Sequence, residues 1–133
     1  MKVRILLKCK KDWADYKVGD TITLFNDIFD ENTGIAFYPI DKAKWEVIRY
    51  DLFTGIKDKH KKEIYTNDII KDLLSEMTFG VHWLKNGLRF GKTVLIGSRK
   101  GQTTSLSDLY NDVSKTPDIC ESVEIIGDIF TQN

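Results

Sequence analysis

Cysteine, proline and histidine are scarce in this 133-residue chain, with two of each. No apolar run approaches the ~20 residues that a membrane-crossing helix needs. Cys9 and Cys120 lie too far apart in sequence to suggest a disulfide framework, and they read as small buried apolar residues of a protein kept in a reducing compartment. Neither His60 nor His82 has a second histidine, cysteine or carboxylate at a metal-site spacing, so no metal and no cofactor are expected. Net charge is absent too: 20 basic and 20 acidic side chains cancel, which excludes a whole-molecule field that would draw the protein to nucleic acid or an anionic membrane. At the start only Ile5, Leu6 and Leu7 stand together before charge resumes, short of a signal peptide's apolar region, so a cytoplasmic location is expected.

What is present is β-strand pattern. Val3, Ile5 and Leu7 alternate with Arg4, Leu6 and Lys8 and predict a half-buried strand from Lys2 to Lys8. Lys10 to Lys17 is polar, and the turn Val18-Gly19-Asp20 leads into a β-branched and aromatic strand, Thr21 to Phe25. A loop over Asp27 to Gly34, a strand over Ile35 to Ile40 with Pro39 at an edge, and a strand over Trp45 to Ile48 complete the first part. Leu52 to Ile56 and Glu63 to Tyr65 form a hairpin across the polar turn Lys57 to Lys62. The stretch from Asp68 to Met77 fits either helix or strand, and the opening Asp68-Ile69-Ile70 favours strand. Gly80 to Leu84 and Leu88 to Phe90 pair across an Asn86-Gly87 turn, and Thr93 to Ile96 adds another strand.

Ser105 and Asp108 match a capping box, and Leu106, Leu109, Tyr110 and Val113 share a face, which predicts one short helix near 106–113 stopped by Pro117. Val123 to Phe130 closes the chain as a strand bulged at Gly127. Lys17 to Ile22 and Tyr65 to Ile70 echo each other, each placing a turn residue and an aspartate ahead of a β-branched strand. Ordinary turn chemistry accounts for this without a duplication. The fold expected is mainly β, of the α+β kind: small SH3-like or partly open β-barrel units with one short helix, divided as residues 1–49 and 50–133.

Leu52 to Lys59, Lys62 to Tyr65, Asp68 to Lys71 and Val123 to Phe130 together resemble the YopX family of phage and prophage proteins, over roughly Tyr50 to Asn133. His60-Lys61 replaces the family's Asn-Gly turn, Asn67 stands where a glycine precedes the aspartate, and the tail is Thr131-Gln132-Asn133. Asn67 can still reach the left-handed backbone region. The resemblance implies an accessory protein in a bacterial host and carries no catalytic residues with it. Residues 1–49 resemble no family.

Four patterns suggest chemistry. Gly87 to Thr93 imitates a phosphate-binding loop, but only three residues separate the glycines where four are required, and strand follows where a helix must stand. Lys57, Lys59, Lys61 and Lys62 are interleaved with Asp58 and Glu63 and read as a solvated hairpin tip. Asp68 and Asp128 are the carboxylates an acid/base hydrolase would use, yet both follow turn residues. Between Met77 and Ser107, Lys85, Arg89, Lys92, Arg99 and Lys100 stand without any acid, whereas Asp108 to Asn133 has six acids against Lys115 alone. Phe79, Trp83 and Phe90 interleave with those cations, as in single-stranded nucleic-acid binders. On an alternating strand Arg89 and Phe90 face opposite ways, which favours core packing. The expectation is a non-enzymatic binding or interaction module whose partner is a host or phage protein or a second copy. The alternative is nucleic-acid binding through segment 85–100, with Trp83.

Overall fold

The computed structural model describes residues 2–27, 41–85, 89–111 and 118–130. The strand expected at Ile35 to Ile40, the Asn86-Gly87 turn, Val113, Pro117 and the tail Thr131 to Asn133 lie outside the described residues. The fold is mainly β, with a curled half-barrel sheet and one short helix. The chain divides into two compact units, Met1–Leu52 and Phe53–Asn133.

In the first unit β1 (Lys2–Cys9) runs between β2 (Thr21–Asp27) and the first half of β3 (Trp45–Lys57), antiparallel to both. The two-residue period of β1 sends Val3, Ile5, Leu7 and Cys9 inward, where Trp45 joins them and Ile22, Leu24, Val47 and Leu52 pack alongside. The register slips between Leu6 and Leu7, opposite Arg49 and Val47, so Ile48 is an extra residue. That bulge reverses the alternation of β3 and turns Arg49 and Asp51 to the same face as Arg4. There Arg4 donates to Asp51 through Nε at 2.8 Å, and Arg49 Nε lies 3.2 Å from the same buried carboxylate. Lys10 to Lys17 is less polar in effect than its composition suggests. Trp13 and Tyr16 bridge and stack edge-on against Trp45, with Lys44 Nζ 4.3 Å from the Trp13 ring centre.

In the second unit the rest of β3 pairs with β4 (Glu63–Tyr65), and a five-stranded antiparallel sheet has the order β8-β7-β6-β5-β9. Its strands are β5 (Asp68–Asp72), β6 (Thr78–Leu84), β7 (Arg89–Val94), β8 (Thr103–Ser105) and β9 (Val123–Asp128). The core holds Ile56, Ile64, Ile70, Phe79, Val81, Val94, Leu106, Leu109, Cys120 and Val123. Two registers deviate, each with a local cause. Opposite Glu63 to Tyr65, β3 carries extra residues around Gly55, whose φ of 92° is open only to a residue without Cβ strain. Buried Thr54 fills the gap by donating to the Ile64 carbonyl at 2.7 Å. On β9 the slip leaves Ile126 unpaired beside Gly127, at the position the sequence marked.

Several expected elements are redrawn. The strands read at Trp45 to Ile48 and Leu52 to Ile56 are one strand, because the charged interval between them is satisfied across the sheet by Arg4. In place of strands at Leu88 to Phe90 and Thr93 to Ile96 the described residues form one strand, β7, which ends at Val94 and within which Gly91 and Lys92 are buried. Residues 68–72 are strand, then turn. The helix α1 spans Ser107–Asn111. Ser105 Oγ accepts the Ser107 N–H at 3.1 Å as a cap should, but Asp108 does not reach back, since its carboxylate is held by Lys92 at 2.6 Å.

Candidate functional site

The hairpin β6–β7, strand β8 and the turn between β7 and β8 carry the cations of the one-signed segment. Strand register assigns their faces. Trp83 lies opposite Phe90, Val81 opposite Lys92 and Phe79 opposite Val94, which makes one face the core face. Leu84 opposite Arg89, His82 opposite Gly91 and Gly80 opposite Thr93 make the other. Trp83 therefore stands on the Phe90 ring, centroids 4.9 Å apart and edge-on, on the face Arg89 does not share.

The structure separates the five cations. Lys92 is 4 % exposed, pairs with Asp108 and lies 4.4 Å from the Phe79 ring centre. Lys85 and Arg89 are exposed at the β6–β7 turn, whereas Arg99 and Lys100 are exposed in the β7–β8 turn at the opposite end of β7. At about 3.3 Å per residue the two pairs stand some 15–20 Å apart along the strand.

The other chemistry-bearing side chains are each held by the fold. His82 Nε2 lies 2.6 Å from Thr93 Oγ1, which lies 2.8 Å from Thr103 Oγ1, so a histidine and two hydroxyls run in a row across β6, β7 and β8. His60 is an exposed turn residue with Glu124 Oε1 at 3.4 Å. Gly91-Lys92-Thr93, the end of the phosphate-loop imitation, is mid-strand backbone. Cys9 and Cys120 are free and buried. Asp58, in the basic turn, is fully buried and accepts three backbone N–H groups: His60 at 2.9 Å, Lys62 at 3.0 Å and Ile125 at 3.0 Å.

Asp68 and Asp128 are brought together as partners in the β5–β9 ladder. Asp68 is buried and accepts the Tyr65 N–H at 2.8 Å, while Asp128 accepts the Phe130 N–H at 2.8 Å. The echo in the sequence has a common geometry: Asp20 accepts the Lys17 N–H at 2.9 Å, and the preceding Gly19 and Asn67 both have positive φ. Lys61, in the turn before β4, likewise has a positive φ, 67°. Among the described residues no group of three or more His, Cys, Asp or Glu side chains could hold a metal ion, and no helix is long and apolar enough to cross a membrane. Tyr110 donates from its hydroxyl to the Thr54 carbonyl, and burial raises its pKa.

Sequence reasoning missed the edge of this sheet. Hydrogen bonds from Val94 N–H to the Gln102 carbonyl and from Leu106 N–H to the Phe90 carbonyl show that even-numbered residues of β8 face β7. By the antiparallel alternation the N–H and C=O of Thr103 and Ser105 point outward. The other edge is partly occupied: the Val123 carbonyl accepts the Lys59 N–H at 3.0 Å, and the Ile125 N–H is held by Asp58. No apolar pattern marks Thr103-Thr104-Ser105, so nothing in the sequence announced an edge there.

A family model described as YopX protein matches residues 23–133. The match takes in β2 from Thr23 and the whole of β3 as well as the segment from Tyr50 onward. No curated protein matches the chain.

Proposed function

The chain belongs to the YopX family, and from that premise we propose that it is a phage or prophage accessory protein, a non-enzymatic binding or interaction module on SH3-like β units, acting in the cytoplasm of a bacterial host. One observation carries this reading. The side chains a catalytic account would draw on are engaged by the fold itself: Asp58 and Asp68 by backbone amides, Lys92 by Asp108, and His82 by Thr93. A general acid or nucleophile must instead reach a substrate atom. Chromogenic esters, phosphomonoesters, phosphodiesters and glycosides offered to the purified protein should show no turnover. Turnover that disappears in a folded Asp68→Asn or His82→Gln variant would refute the proposal.

The second reading is nucleic-acid binding. In its favour, Lys85, Arg89, Arg99 and Lys100 are exposed in a stretch without a carboxylate. Their division between two ends of β7 and the packing of Trp83 on Phe90 weigh against it. Labelled single- and double-stranded oligonucleotides titrated at low salt decide the matter. Salt-dependent affinity, weakened by Arg89→Ala, would replace the first reading with this one.

A further inference from the structure

Resting on the binding-module reading, we propose that β8 is a docking edge for an extended acidic segment of a partner protein, which adds to the sheet as a sixth strand. Thr103 and Thr104 are exposed, and the outward N–H and C=O groups of Thr103 and Ser105 form a row of two donors and two acceptors with no strand beside them among the described residues. A peptide strand satisfies both kinds of group, since it brings N–H and C=O at the same spacing. A nucleic-acid strand brings phosphate acceptors but no backbone N–H for the two carbonyls.

Charge selects the side chains of the guest. A strand lying along β8 passes the β7–β8 turn, where Arg99 and Lys100 are exposed, and nothing acidic lies in sequence between Met77 and Ser107. Lys92, the one buried cation of the segment, is already neutralised by Asp108. Carboxylates at alternate positions of the guest therefore meet unneutralised cations at that end. The opposite edge of the sheet is less available, because Asp58 and Lys59 occupy its Ile125 N–H and Val123 carbonyl.

The probe is a fluorescein-labelled heptapeptide alternating glutamate with valine and threonine, titrated by anisotropy against the full chain. Thr103→Pro removes the outward N–H without touching a ladder bond, and Thr103→Val loses only the hydroxyl contact to Thr93. We expect binding that weakens at least about tenfold in Thr103→Pro and stays within about twofold in Thr103→Val. Arg99→Glu with Lys100→Glu should weaken it about tenfold. A probe N-methylated at alternate amides blocks pairing from the peptide side and should not bind, which keeps the test decisive if the proline variant fails to fold. Absence of binding at millimolar probe, undiminished binding of the N-methylated probe, or proline-insensitive binding overturns the proposal. So does displacement of the peptide by an oligonucleotide unaffected by Thr103→Pro, or a dimer by light scattering that Thr103→Pro dissolves, since a second copy would then hold the edge. None of these failures produces turnover, so the non-enzymatic reading is judged separately.

Discussion

Removing the Asp58 carboxylate tests whether one buried side chain both forms the β3–β4 turn and closes the β9 edge. Its two oxygens receive three backbone donors, His60 and Lys62 on one and Ile125 on the other. Hydrogen bonds to a charged acceptor contribute about 1.5–3 kcal/mol each. The His60 and Lys62 amides belong to exposed residues, where water replaces much of what they lose, whereas the Ile125 amide lies against the turn. Asp58→Ala is therefore expected to cost about 3–4 kcal/mol, less than the sum of three such bonds. With a slope near 2 kcal/mol per molar urea, the midpoint should fall by about 1.5–2 M. Asp58→Asn separates the two roles. Its one carbonyl oxygen still serves the turn, but its NH₂ faces the Ile125 donor, so about 2 kcal/mol should be lost. Urea unfolding by far-UV circular dichroism gives the total, and hydrogen exchange at Ile125 gives the edge. An alanine variant within about 0.5 kcal/mol of the parent, or an unchanged exchange rate at Ile125, would refute the reasoning.

Gly91 is needed for a different reason: a Cβ there would lie 2.5 Å from Leu84 Cδ1 and 3.0 Å from the Thr104 carbonyl oxygen. Gly91→Ala should cost about 1–3 kcal/mol, and Leu84→Ala in the same chain should recover part of that in a double-mutant thermal melt, leaving the clash with Thr104. Burial holds the Tyr110 phenol above its ordinary pKa of 10.0, so the folded state binds the proton more tightly than the unfolded one. The resulting stability is complete below pH 10 and is lost as pH rises through the folded value. Phenolate absorbance should lose a late-titrating step in Tyr110→Phe, and that variant should show a flatter alkaline decline in melting temperature.

The legible parts of the fold are those whose signal is local. Alternation marked β1, the Asp68-Ile69-Ile70 opening marked β5, and Gly127 marked the bulge beside Ile126. Asn67 meets a left-handed requirement, φ 72°, that a sequence can state. The illegible parts depend on partners distant in the chain. The continuity of β3 through Arg49 and Asp51 rests on Arg4, 47 residues from Asp51. Lys92 belongs in sequence to a run of cations, and only its meeting with Asp108 takes it inside. The same contact draws Asp108 away from the capping role its position suggested, leaving Ser105 to cap alone. Trp13 and Tyr16 sit in a polar stretch, and their place beside Trp45 arises from the chain's return after β2. For the candidate site, alternation correctly parted Arg89 from Phe90, but it carried no information on which cations lie at which end of β7.

The unequal edges of the five-stranded sheet set a limit on growth. Runaway assembly by edge pairing needs two accepting sides per molecule, because each added copy must offer a fresh one. Here the Val123 carbonyl and the Ile125 N–H are already taken by the chain's own turn, while among the described residues no strand lies beside Thr103 and Ser105. A strand that joins β8 therefore finds no equally open edge at β9 of the same sheet. Two copies that met β8 to β8 would form a closed pair, since each would then have its open edge of this sheet covered.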